Sequence, residues 1–332
     1  MRFIVVGAGA IGGVIGGRLH QHGHDVVLVA HGRHGEAIRR DGLRIESPDE
    51  TVVVNVPAVA GLDRLEIGGD DVVLLAVKSQ DTAGILEMLV SHVPPSVAVV
   101  CAQNGIENER LALRRFANVY GVVVMCPSAY LEPGVVQVFM APTSGNLDLG
   151  RHPSGGTEVA YAIRDAFRAS SFRSEVLEDI LRWKYAKLVS NLDNAVEAVC
   201  GPEHRRGPIG ELARQEGAAC LHAAGIDFEE AGCAARAATI RSRPIGDQPR
   251  PGASSWQSLA RRTGTIETDY LNGEIVLLGR LAGCPVPVNE LLQKLANSMA
   301  RNRKPPGTVT PEEFEAMLEA RSHPRGHLEK RP

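Results

Sequence analysis

Unbroken runs of Val, Ile and Leu recur through the first half of the chain, at Arg2–Val6, Asp25–Ala30, Asp71–Val77, Val97–Cys101 and Val119–Val124. Strands buried on both faces read this way, whereas half-exposed strands alternate apolar with polar. Helical periodicity separates most of these runs, which predicts βαβ units feeding a parallel sheet. Thr51–Val56 reads as a further strand, antiparallel or peripheral. Val135–Phe139 and Asn146–Leu149, divided by Pro142 and Gly145, predict a late hairpin at the sheet edge.

After about Thr157 the pattern changes. Thr157–Ala169 reads as a helix and Ser174–Leu177 as a last short strand. From Glu178 the period is helical: one long helix over Glu178–Val199, then Ile209–Ala223, Asp227–Ile240, Thr265–Leu281 and Asn289–Ala300. Arg241–Ser254 is rich in Pro, Gly and Arg, a long loop of the kind that is more often functional than accidental. The expected division is an α/β domain over residues 1–172, an all-helical domain over 173–302, and a loosely ordered polar tail over 303–332. A chain of 332 residues suits two domains.

Composition narrows the class. Hydrophobic residues at 44% and charged residues at 23% are those of a globular protein, and a net charge of −3 supplies no basic field for nucleic acid. There is no polybasic helix for a lipid surface. Cys101, Cys126, Cys200, Cys220, Cys233 and Cys284 are scattered, without CxxC pairs or metal-ligand spacing, which suits a reducing cytosol. The apolar amino terminus is broken by glycines and is better explained as a strand feeding a turn than as a signal peptide. A cytoplasmic protein with no metal is expected.

Directly after the first strand comes Gly7-Ala8-Gly9-Ala10-Ile11-Gly12, opening a helix that runs to about Gln21. In a dinucleotide-binding loop the first glycine permits the tight turn and the second lets backbone approach a pyrophosphate. The third lets the helix pack close to the sheet, and the helix amino terminus meets the phosphates. Gly13, Gly16 and Gly17 extend the small-residue face and read as packing glycines. An NAD site places a carboxylate at the end of the second strand. This chain has Val29-Ala30-His31-Gly32-Arg33-His34 there, with no acid before Glu36. Arg33, helped by His31, suits a 2′-phosphate and hence NADP; the bland alternative is a solvated loop arginine.

Five segments in order resemble the ketopantoate reductases (2-dehydropantoate 2-reductases) over residues 1 to about 300. They are the loop Gly7–Gly12, Val77-Lys78-Ser79, Gln103-Asn104-Gly105, Lys187–Asn194, and Glu267-Thr268-Asp269-Tyr270-Leu271-Asn272-Gly273. The resemblance implies an amino-terminal Rossmann domain, a helical domain, an active site in the cleft, and NADPH-dependent reduction of a branched 2-oxo acid, ketopantoate to pantoate. It implies Lys187 as the catalytic acid and Glu267 as the residue contacting the substrate hydroxyl region. Ser255 becomes the carboxylate contact, with Asn191, Asn194 and Asn104 as further substrate contacts. Lys78 and Asn104 face the cofactor. On one continuous helix Lys187, Asn191 and Asn194 share a face, whereas Lys184, the nearby alternative acid, lacks an asparagine at i+4.

Departures from the family pattern concern the substrate pocket. Gly252 replaces an asparagine, Ile266 stands where many members carry threonine, and the second asparagine follows the first by three residues instead of four. Ser254-Ser255 also suits a helix cap. Two alternatives stay open: a reductase of another 2-oxo acid or an imine, and a nucleotide sensor without catalysis. A sensor would need none of Lys187, Asn191, Ser255 and Glu267. The expected partner is a small 2-oxo acid, not nucleic acid or membrane, and a homodimer is the oligomer to test.

Overall fold

The structure is a computed structural model that describes residues 1–322. Contact density parts the chain into two units. The first comprises Met1–Leu188 with Asp227–Pro251, and the second comprises Val189–Ile226 with the described residues from Gly252 onward.

The chain begins with β1 (Phe3–Val6), α1 (Ala10–Gln21), β2 (Val26–Val29), α2 (Gly32–Asp41), β3 (Leu43–Glu46), β4 (Thr51–Val54) and β5 (Ala58–Val59). It continues through β6 (Val72–Leu75), α3 (Ser79–Val90), β7 (Ala98–Cys101), α4 (Glu107–Leu113), β8 (Val119–Met125), β9 (Ser128–Ala129) and β10 (Val135–Val138). Then come β11 (Gly145–Arg151), α5 (Glu158–Ala169), β12 (Phe172–Arg173) and α6 (Ile180–Asn191).

The main sheet is eight-stranded, in the order β12-β11-β8-β7-β6-β1-β2-β5. From β5 to β8 every pairing is parallel, and β11 runs antiparallel to β8. The unbroken apolar runs are explained by burial on both faces. Phe3 and Val5 join one core with Ile15, Leu19 and Phe167, while Ile4 and Val6 join the other with Leu86, Leu89 and Phe116.

The expected late hairpin is not formed. β10 lies in a separate four-stranded sheet, β4-β3-β10-β9, and β11 pairs with β8 instead. The small sheet lies against α1, where Gly13 leaves space for Val136 and Gly17 for Ile45. Thr51–Val54 is antiparallel to β3.

The second unit is helical: α7 (Asn194–Cys200), α8 (Pro208–Ala223), α10 (Ser254–Ala260), α11 (Asn272–Ala282), α12 (Pro287–Arg301) and α13 (Pro311–Ser322); α9 (Glu230–Ala238) belongs to the first unit. Every residue of α7 is buried, and α7 packs on α10 and α12. Within the expected tail, α13 seats Phe314 in the interior; residues 323–332 of that tail lie outside the described residues.

The single helix expected over Glu178–Val199 is two, broken at Leu192–Asp193. Asp193 does not continue the helix face: its carboxylate accepts from Arg205 Nε at 2.9 Å and Arg214 Nη1 at 2.8 Å. The segment Asp227–Pro251 is held in the first unit by ion pairs. Arg236 meets buried Asp148 at 3.0 Å, Arg182 meets Asp227 at 2.9 Å, and Arg243 meets Asp49 at 2.8 Å. No described helix is long and apolar enough to cross a membrane.

Candidate active site

In the first unit the candidate residues gather at the carboxyl edge of the sheet. β1 is where strand order reverses, with β2 on one side and β6 on the other, the place such sheets bind ligands. Three loops leave neighbouring strands there: Gly7–Gly12 after β1, Val77-Lys78-Ser79 after β6, and Gln103-Asn104-Gly105 after β7.

The glycines of the first loop differ in their surroundings. Gly7 has φ +95°, a backbone that favours glycine, and a Cβ there would lie 2.8 Å from Val77 Cγ1. A Cβ on Gly12 would strike the Gly7 carbonyl oxygen at 1.9 Å. Gly9 has nothing within 4 Å of its Cβ position, so the protein itself does not demand glycine there and leaves room for a ligand. The first turn of α1 carries no acidic residue and its N-cap makes no side-chain bond. Its N–H groups at Ala10 and Ile11 are left to an anion. These features fit a dinucleotide pyrophosphate.

His31 is the N-cap of α2 and Arg33 lies in its first turn, both exposed. Arg33 makes no hydrogen bond or ion pair with the described residues. His34, one residue on, points inward: its Nε2 lies 2.7 Å from the Ala8 carbonyl oxygen, and its Nδ1 accepts from the Gly134 N–H at 2.9 Å. That pair of bonds fixes the neutral tautomer with the proton on Nε2. Burial pushes its pKa below the usual histidine value. Sequence reasoning did not single out His34, because its partner Gly134 lies a hundred residues on.

The other two loops are joined by a buried polar chain. Gln103 Nε2 donates to the Val77 carbonyl at 2.9 Å and to Thr82 Oγ1 at 2.8 Å. Thr82 donates to Asn108 Oδ1 at 2.8 Å, and Asn108 Nδ2 reaches Ser79 Oγ and the Asn104 carbonyl, each at 3.2 Å. Lys78 and Asn104 are therefore half-buried residues on a braced backbone.

The two lysines of α6 have separate fates. Lys184 is 3% exposed, paired with Glu109 and donating to the Gln103 carbonyl at 3.0 Å. Lys187 is half-buried. A buried amine locked to a carboxylate cannot reach a substrate.

In the second unit Asn191, Asn194, Ser255 and Glu267 are all buried polar residues. Because of the helix break, Asn194 starts α7 and does not share one continuous helix face with Lys187. Its Oδ1 has no hydrogen-bond partner among the described residues, a buried acceptor without a donor. Ser255 sits in the first turn of α10, whose N-cap is Ala253, so the serine pair makes no side-chain cap. Glu267 opens a 3-10 turn over Glu267–Tyr270 ahead of α11, where a regular helix is expected from the sequence.

Two family models match the chain, ketopantoate reductase PanE/ApbA over residues 3–154 and ketopantoate reductase PanE/ApbA C terminal over residues 179–300. The chain belongs to the ketopantoate reductase family. Among curated relatives of this family, 2-dehydropantoate 2-reductase of Pyrococcus horikoshii is 28% identical over 308 residues, covering 90% of this chain and 97% of that protein. The corresponding enzyme of Halobacterium salinarum is 28% identical, over 91% of this chain and all of that one. A PanE/ApbA family ketopantoate reductase from Ralstonia eutropha JMP134 superposes with a TM-score of 0.77 at 28% identity, over 92% of this chain and 100% of that one. A D-mandelate dehydrogenase complexed with NADH and anilino(oxo)acetate shares the fold at TM-score 0.77 and 22% identity, over 91% of this chain and 99% of that one.

One departure from the family pattern has a structural cause. A Cβ on Gly252 would lie 2.5 Å from both Glu197 Oε1 and Trp256 Cγ. Glu197 also accepts from the Ala253 N–H at 2.8 Å and from Arg205 at 3.2 Å. The space an asparagine would need is taken.

Proposed function

We propose that this ketopantoate reductase family member reduces 2-dehydropantoate to pantoate with NADPH. The reading is carried by the match, over 90% of this chain, to a relative of that name, in a chain that keeps Lys187 half-buried while its neighbour Lys184 is locked away. In it, residues 1–172 hold the nucleotide, residues 173–302 carry the substrate groups, and residues 303–332 take neither role.

NADPH, when bound, supplies a hydride to the carbonyl carbon. The chain's own residues do the rest. Lys187 Nζ gives a proton to the carbonyl oxygen, and its charge stabilises the developing alkoxide before the transfer is complete. Glu267 accepts from the substrate hydroxyl region. Ser255 and Asn194 hold the carboxylate end, and Asn191 orients the lysine or substrate without competing for the proton. Asn104 and Lys78 fix the nicotinamide side, while Gly7–Gly12 and the α1 amino terminus take the pyrophosphate. Arg33 with His31 takes the 2′-phosphate, since β2 ends without a carboxylate. The described cysteines are all free, in keeping with the cytoplasm.

A second reading keeps this chemistry with a different 2-oxo acid, favoured by Gly252 and Ile266 in place of the family residues. NADPH oxidation against a panel of 2-oxo acids decides between them. Ketopantoate with the highest kcat/KM supports the first reading, another acid supports the second, and no turnover with any 2-oxo acid refutes both.

A further inference from the structure

A fully buried ion pair lies beside the candidate site and takes no part in the chemistry assigned above. Glu109 of α4 is 0% exposed and Lys184 of α6 is 3% exposed, and they are paired with each other. Main-sheet strand β8 makes room for them with a glycine: a Cβ on Gly121 would lie 3.0 Å from Glu109 Oε1 and 3.2 Å from Lys184 Cδ. Burial raises the Glu109 pKa against the opposing pull of Lys184.

Stability alone does not call for such a pair. Removing two charges from water costs about as much as their attraction returns, and well-packed apolar residues of similar volume often do as well or better. What apolar side chains cannot supply is the third contact. Lys184 Nζ donates to the main-chain carbonyl of Gln103, at 3.0 Å, immediately before Asn104. Gln103 in turn holds the Val77 carbonyl ahead of Lys78. Lys184 also stands less than one turn ahead of Lys187 on the same helix, so a shift of that turn carries Lys187 with it.

We propose that Lys184 and Glu109 are positioning residues: Glu109 fixes the Lys184 ammonium, which ties the Gln103-Asn104-Gly105 turn to α6 and thereby sets Asn104 and Lys187 in one frame. Glu109 keeps the ammonium aimed, and the short helix α4 that carries it begins just after the tied turn. The pair acts through its neighbours and touches no reacting atom. This inference rests on the assignment of Lys187 and Asn104 to the reduction.

The test is the double variant Lys184→Met/Glu109→Leu, which removes the tether while leaving no buried charge. Its melting temperature is expected within a few degrees of the parent, and its NADPH dissociation constant within about threefold. Its kcat on the best 2-oxo acid is expected to fall by roughly 10- to 100-fold, the scale of misplacing a catalytic group. Amide exchange of residues 103–106 is expected to quicken. If that variant does not fold, Lys184→Gln/Glu109→Gln is read in the same way. A folded double variant with parental kcat and parental exchange overturns the proposal and leaves the pair a packing feature. If the parent itself turns over no 2-oxo acid, the assigned reaction has failed, and the exchange measurement alone decides the tether: quickened supports it, unchanged overturns it.

Discussion

His34 grips the glycine loop from below: its Nε2 donates to the Ala8 carbonyl at 2.7 Å while its Nδ1 is occupied by the Gly134 N–H. The ring also rests on Tyr130, with centroids 4.3 Å apart. A second proton on this ring would face a donor already pointing at Nδ1. Burial of the ring makes the folded state bind that proton more weakly than the unfolded chain, whose histidine titrates at about 6.5. Stability from His34 is full above that pH and is lost as pH falls through it, at most about 1.4 kcal/mol per pH unit. Burial lowers His24 and His152 in the same direction, so the parent's acid loss is shared. His34→Gln is expected to remove part of it and to weaken NADPH binding roughly three- to tenfold, the worth of one hydrogen bond. Melting curves from pH 7 to 5 and fluorescence titrations check both; an unaltered pH dependence and NADPH affinity contradict this role.

NADPH should bind at least about tenfold more tightly than NADH, or roughly 1.4 kcal/mol. Arg33 is exposed at the start of α2, and no carboxylate follows β2 to favour a ribose hydroxyl. Arg33→Ala should narrow the gap and leave NADH binding unchanged. Equal dissociation constants for the two nucleotides in the parent contradict the preference.

Gly252→Asn restores the family residue but places its Cβ 2.5 Å from Trp256 and Glu197. Overpacking of this kind costs roughly 1–3 kcal/mol, measurable by denaturant unfolding. Unchanged stability together with a lower KM for ketopantoate would show that the pocket accepts the asparagine after all.

The first unit was largely legible because its signals are local. Doubly buried strands are unbroken apolar runs, and a glycine loop between strand and helix carries its own reason. What the sequence left hidden depends on distant partners. β9 is two residues long and β3 four, and their sheet exists because β10 meets β3 across most of the first unit. At the helix break Asp193 pairs with Arg205 and Arg214, partners further along the chain. Apolar periodicity gives no sign that Arg236 reaches Asp148, which returns the segment Asp227–Pro251 to the first unit. On α6, Lys184 is buried against Glu109 and the Gln103 carbonyl while Lys187 is half-buried, a difference that spacing does not reveal.

The proton donor is the central claim, and Lys187→Ala tests it most directly. Steady-state turnover of the best 2-oxo acid and the NADPH dissociation constant are measured on the parent and this variant, with Glu267→Ala beside them. The predicted result is a kcat lower by roughly 10²–10⁴, the range for losing a general acid, with NADPH affinity nearly intact. Glu267→Ala should chiefly raise KM. Near-normal turnover by Lys187→Ala would contradict the assignment.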